Sequence, residues 1–130
     1  MGSRLPSKSI FAKWMLAVAL MTAPLLAVAH GDLDLRIAAA TKAITAATND
    51  AALYLARGEL HREHKDWLAA TADFDTAQRL SPSLPNIDFL RGRLLADADR
   101  LEEARATLDR HLLRQPQDGL AFIERARVSE

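Results

Sequence analysis

Two histidines lie one helical turn apart, at His61 and His64, and Asp66 follows them. Imidazoles at positions i and i+3 of a helix share one side and could bind a metal ion together. Transition-metal sites usually have three or four ligands, and the sequence offers no further ligand for this pair. His30 could chelate copper as the first residue of a processed chain, but no second histidine has an evident reason to join it. We therefore predict no metal site and no cofactor.

Nucleophiles and acid–base pairs are also poorly supported. None of the six serines lies in a G-x-S-x-G sequence, and no glycine-rich phosphate loop is present. Asp73 with Asp75, and Glu102 with Glu103, fall on predicted helices at spacings that do not converge, so we interpret them as solvated helix surface. We predict a protein that is not an enzyme.

The composition is that of an ordinary globular chain with an uneven charge distribution. Hydrophobic residues make up 49% of the 130 residues and charged residues 26%. The absence of cysteine excludes disulfides, thiolate metal sites and lipid-modified cysteine. Residues 30–130 hold 14 basic and 17 acidic side chains. This acidic balance argues against a nucleic-acid or anionic-membrane partner.

The first 29 residues have the three parts of a secretory signal. A polar, basic stretch over 1–13 is followed by the uncharged run 14–29, which contains Pro24 and ends Ala27-Val28-Ala29. The run is shorter than the roughly 20 residues that a spanning helix needs. We expect cleavage between Ala29 and His30 and a periplasmic or secreted body. The alternative is an uncleaved anchor, the one case in which we expect a membrane contact.

The remaining chain repeats itself at a shift of 34 residues. Gly58 aligns with Gly92, Ala70 with Ala104, and Pro82 with Pro116, while arginine recurs at Arg57, Arg91 and Arg125. A period of 34 is the length of a helix–turn–helix repeat unit. The recurring arginines could form a basic ladder for carboxylates. We favour a structural role, with their guanidinium groups paired to Asp73 or Asp75.

The residue types at these positions resemble the tetratricopeptide repeat (TPR). The matching positions are Tyr54, Gly58, Ala70, Phe74, Ala77, Pro82, Gly92, Ala104 and Pro116, with His61, Leu95 and Leu108 as stand-ins. Asp88 and His111 depart from the pattern, so the second unit is expected to pack less tightly. The resemblance implies an all-α, right-handed α-solenoid of helix–turn–helix repeats. We assign 1–29 to the signal peptide, 30–50 to a capping helix, 51–84 and 85–118 to two full units, and 119–130 to a partial third unit.

The helices and their ends follow from local signals. We predict helices over 33–48, 51–64, 67–80, 85–97, 101–114 and 118–128, and no strand. Asp32 and Asp66 are predicted N-caps, and Asp99 with Glu102 a capping box. The two glycines of the repeat fall within helices, where they are costly, so we expect another helix to cross there too closely for a Cβ.

By the same resemblance, the first helix of each unit lines a concave groove. The implied groove positions are Ala52, Leu55, Glu59, Arg62, Glu63, Asn86, Phe89, Arg93, Ala96, Asp97, Ile123 and Arg127. Phe89 would be the central anchor for a peptide or a partner helix, unless it turns inward to compensate for Asp88. The predicted function is a non-enzymatic protein-binding adaptor. The alternatives are an ordinary solvated helix surface, or an assembly module that self-associates or begins a longer array.

Overall fold

The structure is a computed structural model that describes residues 31–130. The predicted signal segment 1–29 and its cleavage point before His30 lie outside the described residues. The chain divides into two compact units, with the boundary between Leu35 and Arg36. Residues 31–35, the described part of the first unit, are helical. Residues 36–130 form the second unit, which holds the repeats.

The described residues contain six helices and no strand. Helix α1 covers the described residues 31–46, and the others are α2 (Ala51–Glu63), α3 (Trp67–Leu80), α4 (Ile87–Asp97), α5 (Leu101–Arg114) and α6 (Gly119–Arg127). The predicted bounds of α3 and α5 are confirmed. Helix α1 ends two residues earlier than predicted and Asp32 is already helical, so Asp32 is not the N-cap. Helix α4 begins after Pro85 and Asn86 rather than at Pro85.

Aspartates begin three of the helices by accepting the first free backbone N–H groups. Asp66 accepts from Ala69 N at 3.1 Å, which confirms its predicted role, and Asp50 and Asp118 cap α2 and α6 in the same way. The capping box at Asp99 is wrong. Helix α5 starts after Arg100, which makes no side-chain cap bond, because Asp99 is used to end the preceding helix.

The turn inside each repeat unit ends the first helix with a left-handed residue. Lys65 has φ 63° and Asp99 has φ 60°, and the two positions are related by the repeat. The following N–H groups, of Asp66 and Arg100, each reach back to the carbonyl five residues earlier at 2.9 Å. This is the backbone pattern of a Schellman helix end, where glycine is the usual residue.

The two helices of each unit cross at the predicted glycines. A Cβ on Gly58 would lie 2.6 Å from the Phe74 ring, and one on Gly92 would lie 2.6 Å from Leu108. Phe74 and Leu108 are themselves fully buried. The close-crossing prediction is confirmed, because no side chain fits at either glycine without moving its neighbour.

The core consists of two buried clusters on either side of α4. Ala70, Phe74, Ile87, Leu90 and Leu94 form the first, and Ala96, Ala104, Leu108 and Val128 form the second. Ala77 is also fully buried. The two prolines of the repeat lie exposed just beyond the ends of α3 and α5, where a missing N–H costs nothing. Half-buried Tyr54 donates its hydroxyl to the Thr48 carbonyl at 3.1 Å.

The two residues that depart from the repeat pattern are both buried, so the expectation of a looser second unit is wrong. Asp88 is ion-paired with Arg114, and with Arg110 at 3.8 Å, both from the last turns of α5. His111 is 1% exposed and bonds through Nε2 to Asp118 Oδ2 at 2.8 Å. Charge pairing replaces apolar packing at these positions, and buried polar groups are tolerated when they are paired in this way.

The recurring arginines join neighbouring helices. Arg91 pairs with Asp75, and Arg125 with Asp109 at 3.0 Å, each linking a second helix to the next first helix. Arg57 bonds in the same register to Thr41 Oγ1 at 3.2 Å, and also forms a two-bond pair with Asp73 at 2.7 and 2.8 Å. The structural interpretation of the arginines is confirmed. Asp73 is buried in this pair, so its interpretation as solvated surface was wrong.

Candidate functional site

The first helices of the three units, α2, α4 and α6, share one surface, which we call the first-helix face. Its side chains are Leu55, Glu59, Arg62, Phe89, Arg93, Asp97, Ile123, Glu124 and Arg127. Direct ion pairs between α2 and α4 and between α4 and α6 show that these residues lie together. All but Glu124 were predicted from the repeat register.

Six charged side chains on this face form a closed ring of ion pairs. From Glu59 the ring runs to Arg62 at 3.1 Å, and from Arg62 to Asp97 on the next first helix. Asp97 pairs with Arg127 at 3.2 Å.

The other half of the ring returns to its start. Arg127 pairs with Glu124 at 2.8 Å, Glu124 faces Arg93 at 3.8 Å, and Arg93 pairs with Glu59 at 3.2 Å. Three arginines thus alternate with three carboxylates. The ring is neutral, and each of its charges has two partners of opposite sign.

The ring is partly removed from water, which strengthens its pairs relative to exposed ones. The Arg62 side chain is only 12% exposed. Burial acts to lower the pKa of the Arg62 guanidinium, but the hydrogen bonds to Glu59 and Asp97 outweigh it and the pKa is raised. The hydrogen bond to Glu124 raises the pKa of Arg127 as well. The ring arginines therefore stay charged and engaged with the protein's own carboxylates.

Three apolar side chains accompany the ring, one on each first helix. Leu55 and Phe89 are half-buried and pack against the core, Phe89 against both buried clusters. The Phe89 ring lies 5.6 Å from the ring of His111, and the Arg93 guanidinium is 5.7 Å from its centroid. Ile123 is 66% exposed. The face therefore changes from half-buried apolar contacts at α2 and α4 to an open one at α6.

The other predicted groove positions divide into three groups. Ala52 and Asn86 are exposed. Glu63 is exposed and pairs with Arg36 at 3.5 Å. Ala96 is buried in the cluster with Leu108 and Val128, so its assignment to the groove was wrong. The repeat register failed there because the helix has turned far enough to place position 96 against α5 and α6.

Sequence reasoning missed Glu124. The repeat places Ala56 and Leu90 at the equivalent positions, so the 34-residue comparison carried no acidic signal. The spacing to Arg127, three residues later on a predicted helix, is the signal that could have identified it.

The histidine pair does not form a metal site. His61 Nε2 lies 3.9 Å from Asp73, its Nδ1 is buried without a hydrogen bond, and His64 ends α2. Within residues 31–130, no group of three or more potential ligands could hold a metal. Glu102 and Glu103 are exposed, as expected, and pair with Arg105 and Arg100.

Comparisons with known proteins identify the fold through solved structures. No protein-family model matches the chain, and no curated protein matches it. Among solved structures, the first TPR of Spaghetti (RPAP3) bound to the HSP90 peptide SRMEEVD is 25% identical. That match covers 87% of this chain and 90% of the other, with a TM-score of 0.66. The fold is that of a TPR domain.

Two further TPR structures agree. The first TPR domain of human RPAP3 is 25% identical over 87% of this chain and 89% of its own, with a TM-score of 0.67. The second TPR domain of human RPAP3, in complex with the HSP70 peptide SGPTIEEVD, is 22% identical over 89% of this chain and 97% of its own, with a TM-score of 0.66. Among residues 31–130, no helix is long and apolar enough to cross a membrane.

Proposed function

We propose that the protein is a non-enzymatic adaptor that binds an extended peptide or a partner helix on its first-helix face. The observation that carries this proposal is the row of Leu55, Phe89 and Ile123 along three adjacent helices, bordered by the charged ring. Solved TPR domains of the same fold are bound to peptides, which supports the same use of the fold here. Phe89, on the middle helix, is the central anchor.

The ring sets the chemistry of the peptide. The peptides in the two RPAP3 complexes end in Glu-Glu-Val-Asp and are rich in carboxylates. A carboxylate entering the face of this protein would have to displace an internal partner from Arg62, Arg93 or Arg127. The free energy lost by leaving that partner unpaired would offset much of the free energy of the new ion pair. The face therefore suits a segment with apolar side chains and no excess of acid.

Titration with SRMEEVD as a probe tests this preference. We expect the wild-type protein to bind it with a Kd weaker than about 1 mM. The double variant Glu59→Gln/Asp97→Asn releases the three ring arginines and should bind the probe at least about tenfold more tightly, because charge-assisted bonds become available. Equal affinities for the two proteins would contradict the role given to the ring.

Site-specific photocrosslinking in the cell tests the proposed function itself. A crosslinker replacing Ile123 lies on the face and points into solvent, whereas one replacing Leu68, which is 85% exposed on α3, is a control of equal accessibility. We expect one partner protein to be captured from position 123 and not from position 68, and the capture to weaken in a Phe89→Ala background. Capture from both positions alike would contradict a dedicated binding face.

We also propose that this face works in an exported compartment, either periplasmic or extracellular. The support is the sequence of residues 1–29, with its basic start, uncharged run and Ala27-Val28-Ala29 end. N-terminal sequencing of the chain from an exporting host should give His30 as the first residue. A chain that keeps its first 29 residues in the cytoplasm would contradict export.

A further inference from the structure

Helix α6 presents to solvent the positions that are covered in the first two units. Phe122 occupies the position of Tyr54 and Asp88, and Ala126 that of Gly58 and Gly92. Asp88 and both glycines are buried by the second helix of their own unit. Phe122, by contrast, is 52% exposed and Ala126 is exposed. No helix within residues 31–130 covers this side of α6.

The open side of α6 continues as an apolar surface onto α5. Phe122 shares a shallow depression with Leu112 and Leu113, and Leu113 is 85% exposed. The equivalent depression between α3 and α4 is lined by Gln78 and Arg79 at the same repeat positions. The molecule therefore has a polar form of this junction where solvent meets it, and an apolar form only at the end of the array. We call Leu112, Leu113, Phe122 and Ala126 the terminal face.

Helix α1 has the opposite vacancy, because it is a second helix without a first. It ends at residue 46, which the repeat relates to the ends of α3 and α5 at Leu80 and Arg114. Its Thr41 bonds to Arg57 with the same 16-residue separation as Asp75 to Arg91 and Asp109 to Arg125. Helix α1 thus packs on α2 as α3 packs on α4, and the side that would meet a first helix is left open at Arg36 and Ala39.

The two open sides match when they are placed in the register of the existing units. Phe74 meets Gly58 and Leu108 meets Gly92, so a large side chain faces a glycine at each crossing. In a composite unit built from α6 and a second copy's α1, Ala40 would face Ala126, and two small residues would replace one large and one absent side chain. Lys42 and Ala46 would lie where Arg110 and Arg114 meet Asp88, which suits an apolar ring beneath a lysine.

We propose that the terminal face binds α1 of a second copy of this chain, completing the third repeat unit from two molecules. The contact continues the interface that already joins α2 to α3 and α4 to α5. It is head-to-tail, so each bound copy presents a new terminal face and the assembly grows with concentration. The first-helix face of each copy would be extended by the next, which makes the inference independent of whether Phe89 anchors a peptide.

Sedimentation velocity on the full chain, purified as the expressing cell processes it, tests the proposal. The wild-type protein should form concentration-dependent dimers and longer oligomers. Phe122→Glu should weaken association by about 30-fold or more, the effect of losing a contact of about 2 kcal/mol. Leu68→Glu, which places the same charge on an equally accessible leucine outside both surfaces, should leave association unchanged.

Complementation identifies the two halves of the contact. Ala39→Arg blocks α1 and leaves the terminal face intact, while Phe122→Glu does the reverse, so each variant alone should be monomeric. Mixed in equal amounts, they should form a dimer and nothing larger. A wild-type chain that stays monomeric at all concentrations would overturn the proposal. So would an oligomer that survives both substitutions, or variants that fail to pair on mixing; thermal melts of each variant check that it is folded.

Discussion

At the scale of single residues, His111 and Asp118 show how a departure from the repeat is stabilised. His111 is buried where the first unit has Ala77, and its hydrogen bond lowers the pKa of the Asp118 carboxyl. Bonds from the backbone N–H of Ala121 and Leu120, which Asp118 accepts as the N-cap of α6, lower that pKa further. One carboxylate therefore fixes both the start of α6 and its attachment to α5.

The lowered pKa of Asp118 predicts a pH dependence of stability. A carboxyl whose pKa is lower in the folded state stabilises the fold fully above its ordinary pKa, near 4, and loses that contribution as the pH falls through the lower, folded value. Asp118→Asn retains the cap and removes the charge, so it should destabilise the protein by about 1 kcal/mol at pH 7 and progressively less below about pH 4. Thermal melts from pH 7 to 2.5 measure this difference.

The matched control is Asp50→Asn, because Asp50 caps α2 by accepting from Ala52 N at 2.9 Å. Its effect at pH 7 should be smaller than that of Asp118→Asn, since asparagine is an equally good cap. Equal effects of the two substitutions at every pH would show that the bond to His111 adds nothing.

Gly58 tests the close crossing of α2 and α3. A Cβ there would meet the fully buried Phe74 ring at 2.6 Å, whereas a Cβ on Gly119 has nothing within 4 Å. Gly58→Leu should lower the free energy of unfolding by at least about 1–3 kcal/mol through overpacking. Gly58→Ala should also destabilise, but Gly119→Ala should be neutral or slightly stabilising. Denaturant unfolding of the three variants measures the difference, and an unchanged midpoint for Gly58→Leu would contradict the crossing.

At the scale of the helices, Lys65 and Asp99 are the strained points. Both hold a left-handed backbone without being glycine. Asp99→Gly should raise the melting temperature, because relief of about 1 kcal/mol or more of backbone strain exceeds the entropy that glycine loses. Asp66→Gly, which removes a side-chain cap at a position without positive φ, is a control that should lower it. A lower melting temperature for Asp99→Gly would contradict the strain.

The helices were largely predictable because each has a local cause. Apolar periodicity and the prolines after α3 and α5 fixed their bounds, and Asp66 was evident as a cap. The error at Asp99 arose because an aspartate followed three residues later by a glutamate has the same spacing whether it begins a helix or ends the one before. The turn geometry that decides between them depends on how α4 and α5 pack, which the residue types alone do not contain.

At the scale of the whole domain, the repeat register predicted which side chains share the first-helix face, and it could not predict how they pair. Glu59, Arg62, Arg93, Asp97 and Arg127 were predicted as a polar border that a partner could contact. The structure joins them, with Glu124, into a ring whose charges satisfy one another. Pairing between helices depends on the rotation and offset of each unit, and a change of a few ångströms would break it.

The most direct test of the central claim is the affinity of the crosslinked partner segment, made as a peptide, for wild-type protein and three variants. We predict that Phe89→Ala weakens binding by about 2 kcal/mol or more, in the range of a buried aromatic anchor, and that Leu68→Ala leaves it unchanged. We also predict that Phe89→Ala lowers the melting temperature less than Phe74→Ala, because Phe74 is fully buried and Phe89 is not. Unchanged affinity in Phe89→Ala, or a loss of stability equal to that of Phe74→Ala, would contradict the account and make Phe89 a core residue.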